Sequence, residues 1–361
     1  MMNLTRPTLL LDKEKCLANI HKMVEKANRN KVELKPHFKT HKSSTVGSWF
    51  RDEGVKGITV SSIRMADYFA RHGWNDITIA FPVNILEIDT LNSLAESVDL
   101  SLFINSNEAM GFLLKNLISP VSFYLEVDTG FKRSGVHLED EDLLRSLIDT
   151  AEREKLLTFK GFYAHEGRTY QASKNDDVVG LYKHSLNKMM TLKEAFADHN
   201  PEISWGDTPS CSIVDDFTGI DSIHPGNFVY YDLTQSDLGA NDESDIAICL
   251  ASPVVGKHPY RGELVVHAGW AQLGKDQIAN GDVHHFGKVV KLTDNGWEDV
   301  FEDAYVVRVS QEHGIVTMKD LDLDKIKIGE LIGILPVHAC ATAEMMGKLI
   351  TLDGEPVEMM D

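Results

Sequence analysis

The sequence predicts a (β/α)8 barrel followed by a domain built of β-strands. Three observations carry that expectation. From residue 13 to about residue 245, short apolar strands alternate with amphipathic helical stretches. Eight strands can be marked in this span, and about 230 residues is close to the usual size of such a barrel. Beyond residue 245 the helices stop, and apolar strands follow one another across Gly- and Asp-rich turns.

The first barrel strand is VELKPHFK (32–39), in which Val32, Leu34 and Pro36 alternate with charged residues. GITVS (57–61), DITIAFP (76–82), VDLSLFI (98–104) and VSFYLEVD (121–128) follow. LTFKGFYAH (157–165), EISWGDT (202–208) and IHPGNFVYYD (223–232) complete the set. Helical spacing of Leu, Ala, Glu and Lys fills the gaps, as in EDEDLLRSLIDTAEREK (139–155). An open doubly wound sheet is the competing architecture, but no GxGxxG follows the first strand. The second domain reads DIAICLASPVVGK, ELVVHAGWAQL, VHHFGKVVKL, AYVVRVSQEHG and LIGILPVHACAT. The expected division is a barrel over 12–245 and a β-domain over 246–361.

Of 361 residues, 43% are hydrophobic and 25% charged, an ordinary globular balance. The chain carries 55 acidic against 36 basic residues, net −19, which repels nucleic acid and anionic membrane surfaces. MMNLTRPTLLLDKEK has no apolar core long enough for a signal peptide, and no stretch is long enough to span a membrane. Cys16, Cys211, Cys249 and Cys340 are scattered without a CxxC pair, as expected of a reducing compartment. A cytoplasmic location is the expectation.

In a (β/α)8 barrel, residues at the C-terminal strand ends build the active site. Lys39 closes the first strand, Asp128 the fifth and His165 the sixth, while DTPS ends the seventh and HPGN lies in the last. Lys39 is either a solvated amine beside His37, His41 and Lys42 or a nucleophile able to form a Schiff base with a carbonyl. Neighbouring cations favour the neutral, nucleophilic amine. GDTPS (206–210) and PGN (225–227) are either plain turns or a phosphate site at the last two strand ends. No GxxxxGK[ST] is present, which argues against a nucleoside triphosphate. In PVHACAT (336–342), His338 and Cys340 share one face if the segment is a strand. They are then either core residues or a borderline-to-soft metal pair, with His313 in SQEHG as a third ligand or polar neighbour.

These segments, together with RPTLLLD (6–12), VDTGFKRSGV (127–136), YAHEGRTY (163–170) and HPGNFVYYD (224–232), resemble fold-type III pyridoxal-phosphate enzymes. The resemblance is to the D-serine dehydratase and D-threonine aldolase family, with alanine racemase as a more distant relative. It runs nearly end to end, in one order. It implies that Lys39 forms the internal aldimine with pyridoxal 5'-phosphate, that Arg133 faces the phenolic oxygen, and that His165 stacks on the pyridine ring. It places Tyr170 in the adjacent aromatic position, and Thr208, Gly226 and Asn227 at the phosphate. It implies that His338 and Cys340 hold a divalent metal, zinc by the resemblance, and that both act in catalysis with Lys39. It further implies that the N-terminal strand (1–11) packs with the β-domain and that the chain forms a homodimer. The chain departs from the family pattern at Val337, Ala341 and VHAGWAQLGKD (266–276).

The expected reaction is ammonia-releasing β-elimination from a D-3-hydroxy amino acid. Retro-aldol cleavage, as in a D-threonine aldolase, needs nearly the same parts, and the cysteine ligand favours dehydration. Racemisation would need an acid or base on each face of Cα and no metal. A non-catalytic pyridoxal-phosphate carrier is typically barrel-only, and a metal-dependent barrel hydrolase would show HxH after the first strand, absent here.

Overall fold

A computed structural model of the chain describes residues 4–360. By contacts it divides into two compact units. One is His21–Gly226, and the other joins the residues up to Ile20 with those from Asn227 onward. The boundaries fall inside the helix Lys13–Asn30 and between Gly226 and Asn227.

The first unit is a parallel barrel. Among the described residues eight strands run in the order Glu33–Leu34, Ser222–Ile223, Glu202–Gly206, Leu157–His165, Val121–Asp128, Asp99–Phe103, Asp76–Pro82 and Gly57–Val60. The ring closes where His37 bridges Thr59, whose N–H donates to Pro36 O at 3.0 Å. A short strand, Val136–His137, pairs alongside Val127 and Asp128.

The helices between the strands begin where the sequence supplies a capping side chain. Ser62 caps Ile63–Arg71, Ser106 caps Asn107–Asn116 and Asp140 caps Glu141–Glu152, each accepting the N–H three residues on. At the N-terminal strand ends, Lys35 Nζ donates to Asp76 at 2.7 Å and the Tyr124 hydroxyl to Glu202 at 2.7 Å. This partly buried polar layer lies at the end of the barrel that serves stability.

Two expected strands are much shorter than their sequence patterns. In 32–39 only Glu33–Leu34 is strand, and Phe38–Thr40 is a 3-10 turn. In 223–232 the strand ends at Ile223, and Asn227–Val229 is also a 3-10 turn. Pro36 and Pro225 explain both, since neither has an N–H to continue a ladder. The segments stay joined through His37 N–H to Pro225 O, 2.9 Å.

Among the described residues of the second unit, six antiparallel strands pair in a closed ring. Their order is Ile248–His258, Glu263–Val266, Gly314–Thr317, Tyr305–Val309, Gly287–Thr293 and Leu331–Pro336, returning to the first. Thr8–Leu11 pairs antiparallel with residues 248–251. The strand Leu331–Pro336 stops before His338, and Ala339–Met346 is a helix with His338 at its N-cap. His338 and Cys340 therefore straddle a strand-to-helix junction, and strand alternation does not place them on one face. Among the described residues, no helix is long and apolar enough to cross a membrane.

Candidate active site

Lys39 is presented by a turn whose other side chains are committed to the core. His37, Phe38, Thr40 and His41 are buried, whereas Lys39 is exposed. Phe38 packs on Phe50, Phe69 and Trp74 with ring centroids 4.9–5.2 Å away. His41 joins the same aromatic cluster, accepts the Ser43 N–H at 3.1 Å, and is pushed down to about 3 by burial. The basic run thus separates into core imidazoles and an outward amine. His37 Nδ1 accepts the Lys39 N–H at 3.4 Å, fixing the start of the turn.

The charges of Lys39 and Arg133 both act on His37 and His165. Burial, then the charges of Arg133 and Lys39, lowers His165 to about 3. Burial, then Lys39, His224, His165 and Arg133, holds His37 well below its ordinary value. Both rings are neutral at neutral pH, in an environment that disfavours further positive charge.

The Arg133 loop is built by local hydrogen bonds. Asp128 Oδ1 accepts the N–H groups of Gly130 and Lys132, each at 2.9 Å, and Lys132 takes a left-handed φ of 61°. Gly135, at φ 97°, lies so close to the strand that a Cβ would meet Glu126 O and Asp128 N at 3.0 Å. The buried Glu126 carboxylate lies 3.8 Å from Arg133 Nη2 and accepts from Ser134 Oγ at 2.8 Å. Beneath the loop, Arg168 donates to Thr129 O at 3.1 Å and through Nε and Nη2 to Glu166, each at 2.7 Å.

Tyr170 connects the sixth and seventh strand ends. Its ring lies near-parallel to His165, centroids 6.0 Å apart, and its hydroxyl accepts the Thr208 N–H at 3.2 Å. Thr208 opens a short helix because Asp207 caps it, accepting the Ser210 N–H at 2.7 Å. Trp205 Nε1 and Thr169 Oγ1 also donate to Asp207. Gly226 serves a close approach: a Cβ there would lie 2.8 Å from His37 O and 3.0 Å from Thr40 Oγ1. The glycine is thus required by the turn that carries Lys39.

The second unit holds the remaining three residues. His338 Nδ1 lies 2.7 Å from Asp276 Oδ2, and the imidazole also hydrogen-bonds the Cys340 side chain. Burial opposes its charge, but Asp276, Cys340 and Asp232 outweigh that and raise it to about 11. Asn227 Nδ2 donates to Asp232 Oδ2 at 2.6 Å and to Cys340 Sγ at 3.6 Å. The Asn227 side chain therefore belongs to the cysteine's surroundings, and the sequence motif PGN gave no sign of that. Asp232 is buried and also accepts the Ala339 N–H at 2.9 Å. Among the described residues no three His, Cys, Asp or Glu side chains gather as a metal cluster, so His313 is not brought in as a third ligand.

Sequence reasoning gave no role to Asp276, Asp232 and Glu126, and read Asp207 only as part of GDTPS. Asp207 stood before a Pro in DTPS, a helix-start signal that could have found it. The other three are connected to the site only through space.

Residues 11–233 match the family model described as "Alanine racemase, N-terminal domain", and residues 247–352 match "Putative serine dehydratase domain". The chain is 28% identical to a D-serine dehydratase of Dictyostelium discoideum, covering 98% of this chain and 94% of the relative. It is 26% identical to a D-threo-3-hydroxyaspartate dehydratase of Delftia sp. strain HT23, covering 95% and 92%. A solved cysteine-to-alanine mutant of a D-threo-3-hydroxyaspartate dehydratase, described as the metal-free form, superposes with a TM-score of 0.89 at 25% identity, covering 99% and 98%.

Proposed function

Because this chain belongs to the family of the alanine racemase N-terminal domain, we propose that it is a pyridoxal-phosphate- and metal-dependent lyase of D-3-hydroxy amino acids, acting as a D-serine-type dehydratase. The observation that carries this reading is the exposed residue Lys39, set on a buried turn, whose charge with that of Arg133 acts on His37 and His165. The dehydratase match over residues 247–352 supports elimination over retro-aldol cleavage.

The donor set suits pyridoxal phosphate: an amine for its carbonyl, a guanidinium for its phenolic oxygen, a neutral imidazole for its ring, and main-chain N–H groups for its phosphate. Bound there, the cofactor supplies an electron sink that acidifies the substrate's Cα. Lys39 Nζ would hold the carbonyl carbon at rest and, once the substrate's amine has displaced it, would take up the Cα proton. Arg133, braced by Glu126, would orient the ring through its phenolic oxygen. His165, kept neutral by burial and by Arg133 and Lys39, would lie against the ring without adding charge. Gly226 would bind phosphate through the main chain, and Asn227 likewise, since its side chain faces Asp232 and Cys340, while Thr208, whose N–H meets the Tyr170 hydroxyl, would offer its own hydroxyl.

His338 and Cys340 suit a zinc ion: a borderline imidazole and a soft thiolate in mutual contact, with coordination positions left for other ligands. Zinc held by this pair would supply Lewis acidity for departure of a β-hydroxyl. The metal-free form of a relative's cysteine mutant supports this reading. We further propose a homodimer. Four cysteines outside any disulfide, three of them buried, support a reducing, cytoplasmic setting.

The test is an absorbance and turnover scan with D-serine, D-threonine, D-threo-3-hydroxyaspartate and their L-isomers, with and without chelator. Ammonia release from a D-substrate supports the proposal, and glycine with an aldehyde as the only products would convert it to an aldolase. A Lys39→Ala protein that still binds cofactor covalently and turns over would overturn it.

A further inference from the structure

We infer that Asp276 is a positioning residue for the metal pair: its carboxylate fixes which nitrogen of His338 faces the ion. This rests on the proposed metal reading and goes beyond it. Asp276 Oδ2 sits 2.7 Å from His338 Nδ1. A carboxylate only accepts, so Nδ1 keeps its proton, and Nε2 is the nitrogen whose proton an incoming metal ion would displace to gain a ligand. A metal-ligating histidine held this way keeps its tautomer and ring orientation, and the carboxylate raises its basicity.

The segment carrying Asp276 is tied down well enough for that task. It follows the helix Trp270–Leu273, whose first two N–H groups donate to Ser310 O at 2.8 Å and Gln311 O at 3.0 Å. Gly274 N–H donates to Trp270 O at 3.0 Å, and Lys275 Nζ lies over the Trp270 ring, 5.2 Å from its centroid. A Cβ on Gly274 would be in ordinary contact with Ala341, at 3.5 Å, so the segment runs against the helix that bears Cys340. The thiol has its own partner in Asn227, which Asp232 fixes. Each member of the pair is thus oriented by a neighbouring polar side chain.

The experiment measures zinc affinity by chelator competition on the full-length, cofactor-loaded protein, for wild type, Asp276→Ala and Asp276→Asn. Cobalt substitution adds a thiolate-to-metal absorption that reports Cys340 directly. Asp276→Ala is expected to bind zinc about 10- to 100-fold more weakly, while the cobalt–thiolate band and the cofactor's visible absorption persist. Asp276→Asn, which keeps an acceptor oxygen and the shape but not the charge, should lose less. Unchanged zinc affinity in both variants would overturn the inference and leave the metal reading intact. Loss of secondary structure or of the cofactor band in Asp276→Asn would also overturn it, because the carboxylate would then be serving the fold. A wild-type protein that binds no zinc would instead overturn the metal reading on which the inference rests.

Discussion

Replacing Glu166 with Ala should cost several kcal/mol and disturb the loop that presents Arg133. Glu166 is fully buried and accepts from Arg168 Nε and Nη2 at 2.7 Å, from Thr129 Oγ1 at 2.9 Å and from Ser185 Oγ. Truncation leaves a largely covered guanidinium and two buried hydroxyls without their acceptor. Removing one partner of a buried ion pair costs about 3–5 kcal/mol. Arg168 is 29% exposed on its side chain, so water recovers part of its solvation and the lower end of that range applies. Glu166→Gln keeps the shape and one acceptor oxygen, and should cost about half as much. Denaturant unfolding of Glu166→Ala, Arg168→Ala and the double variant gives the coupling, expected to exceed about 1.5 kcal/mol. Because Arg168 also donates to Thr129 O, the same variants should weaken cofactor binding. A coupling below about 0.5 kcal/mol would refute the reasoning.

The pH dependence of stability carries the same signature. Burial alone would raise the Glu166 carboxyl, but hydrogen bonds from Arg168, Ser185 and Thr129 outweigh it and hold the folded value below the ordinary one. Its contribution is therefore present above the unfolded carboxylate value, about 4.3, and is lost as pH falls through the folded value; Glu166→Gln should flatten that acid limb in urea melts. Gly226→Val should weaken cofactor affinity at least about 10-fold, since its first carbon alone would sit 2.8 Å from His37 O and displace the Lys39 turn; equal affinity by fluorescence titration would show the glycine is not needed there. Cys340→Ala should abolish stoichiometric zinc in metal analysis and stop turnover of D-substrates while leaving the visible cofactor band, and chelation of wild type should do the same.

The alternation of apolar strands with helices was enough to determine the barrel, because side-chain period and capping residues are local properties. Lys39, His165 and Thr208 were expected at strand ends for a related reason, whereas Arg133 and Tyr170 were named from the family resemblance alone. In a (β/α)8 barrel chain order maps onto strand ends, so position along the sequence becomes position around one rim. Individual boundaries were less secure, since Pro36 and Pro225 end their ladders early and turn Lys39 and Asn227 into 3-10 segments.

What the tertiary structure alone decided is which polar groups meet. Asp276 reaches His338 across 62 residues, and Asn227 reaches Cys340 across 113. The segment 266–276, read only as a departure from a family pattern, supplies that carboxylate. Gly226, read as a phosphate-loop glycine, also has no room for a Cβ beside His37 O. A sequence records the spacing of residues that share an element and carries no comparable signal for pairs joined only by packing. The orientation of an imidazole, the partner of a thiol and the space beside a glycine are fixed by neighbours that only folding brings within reach.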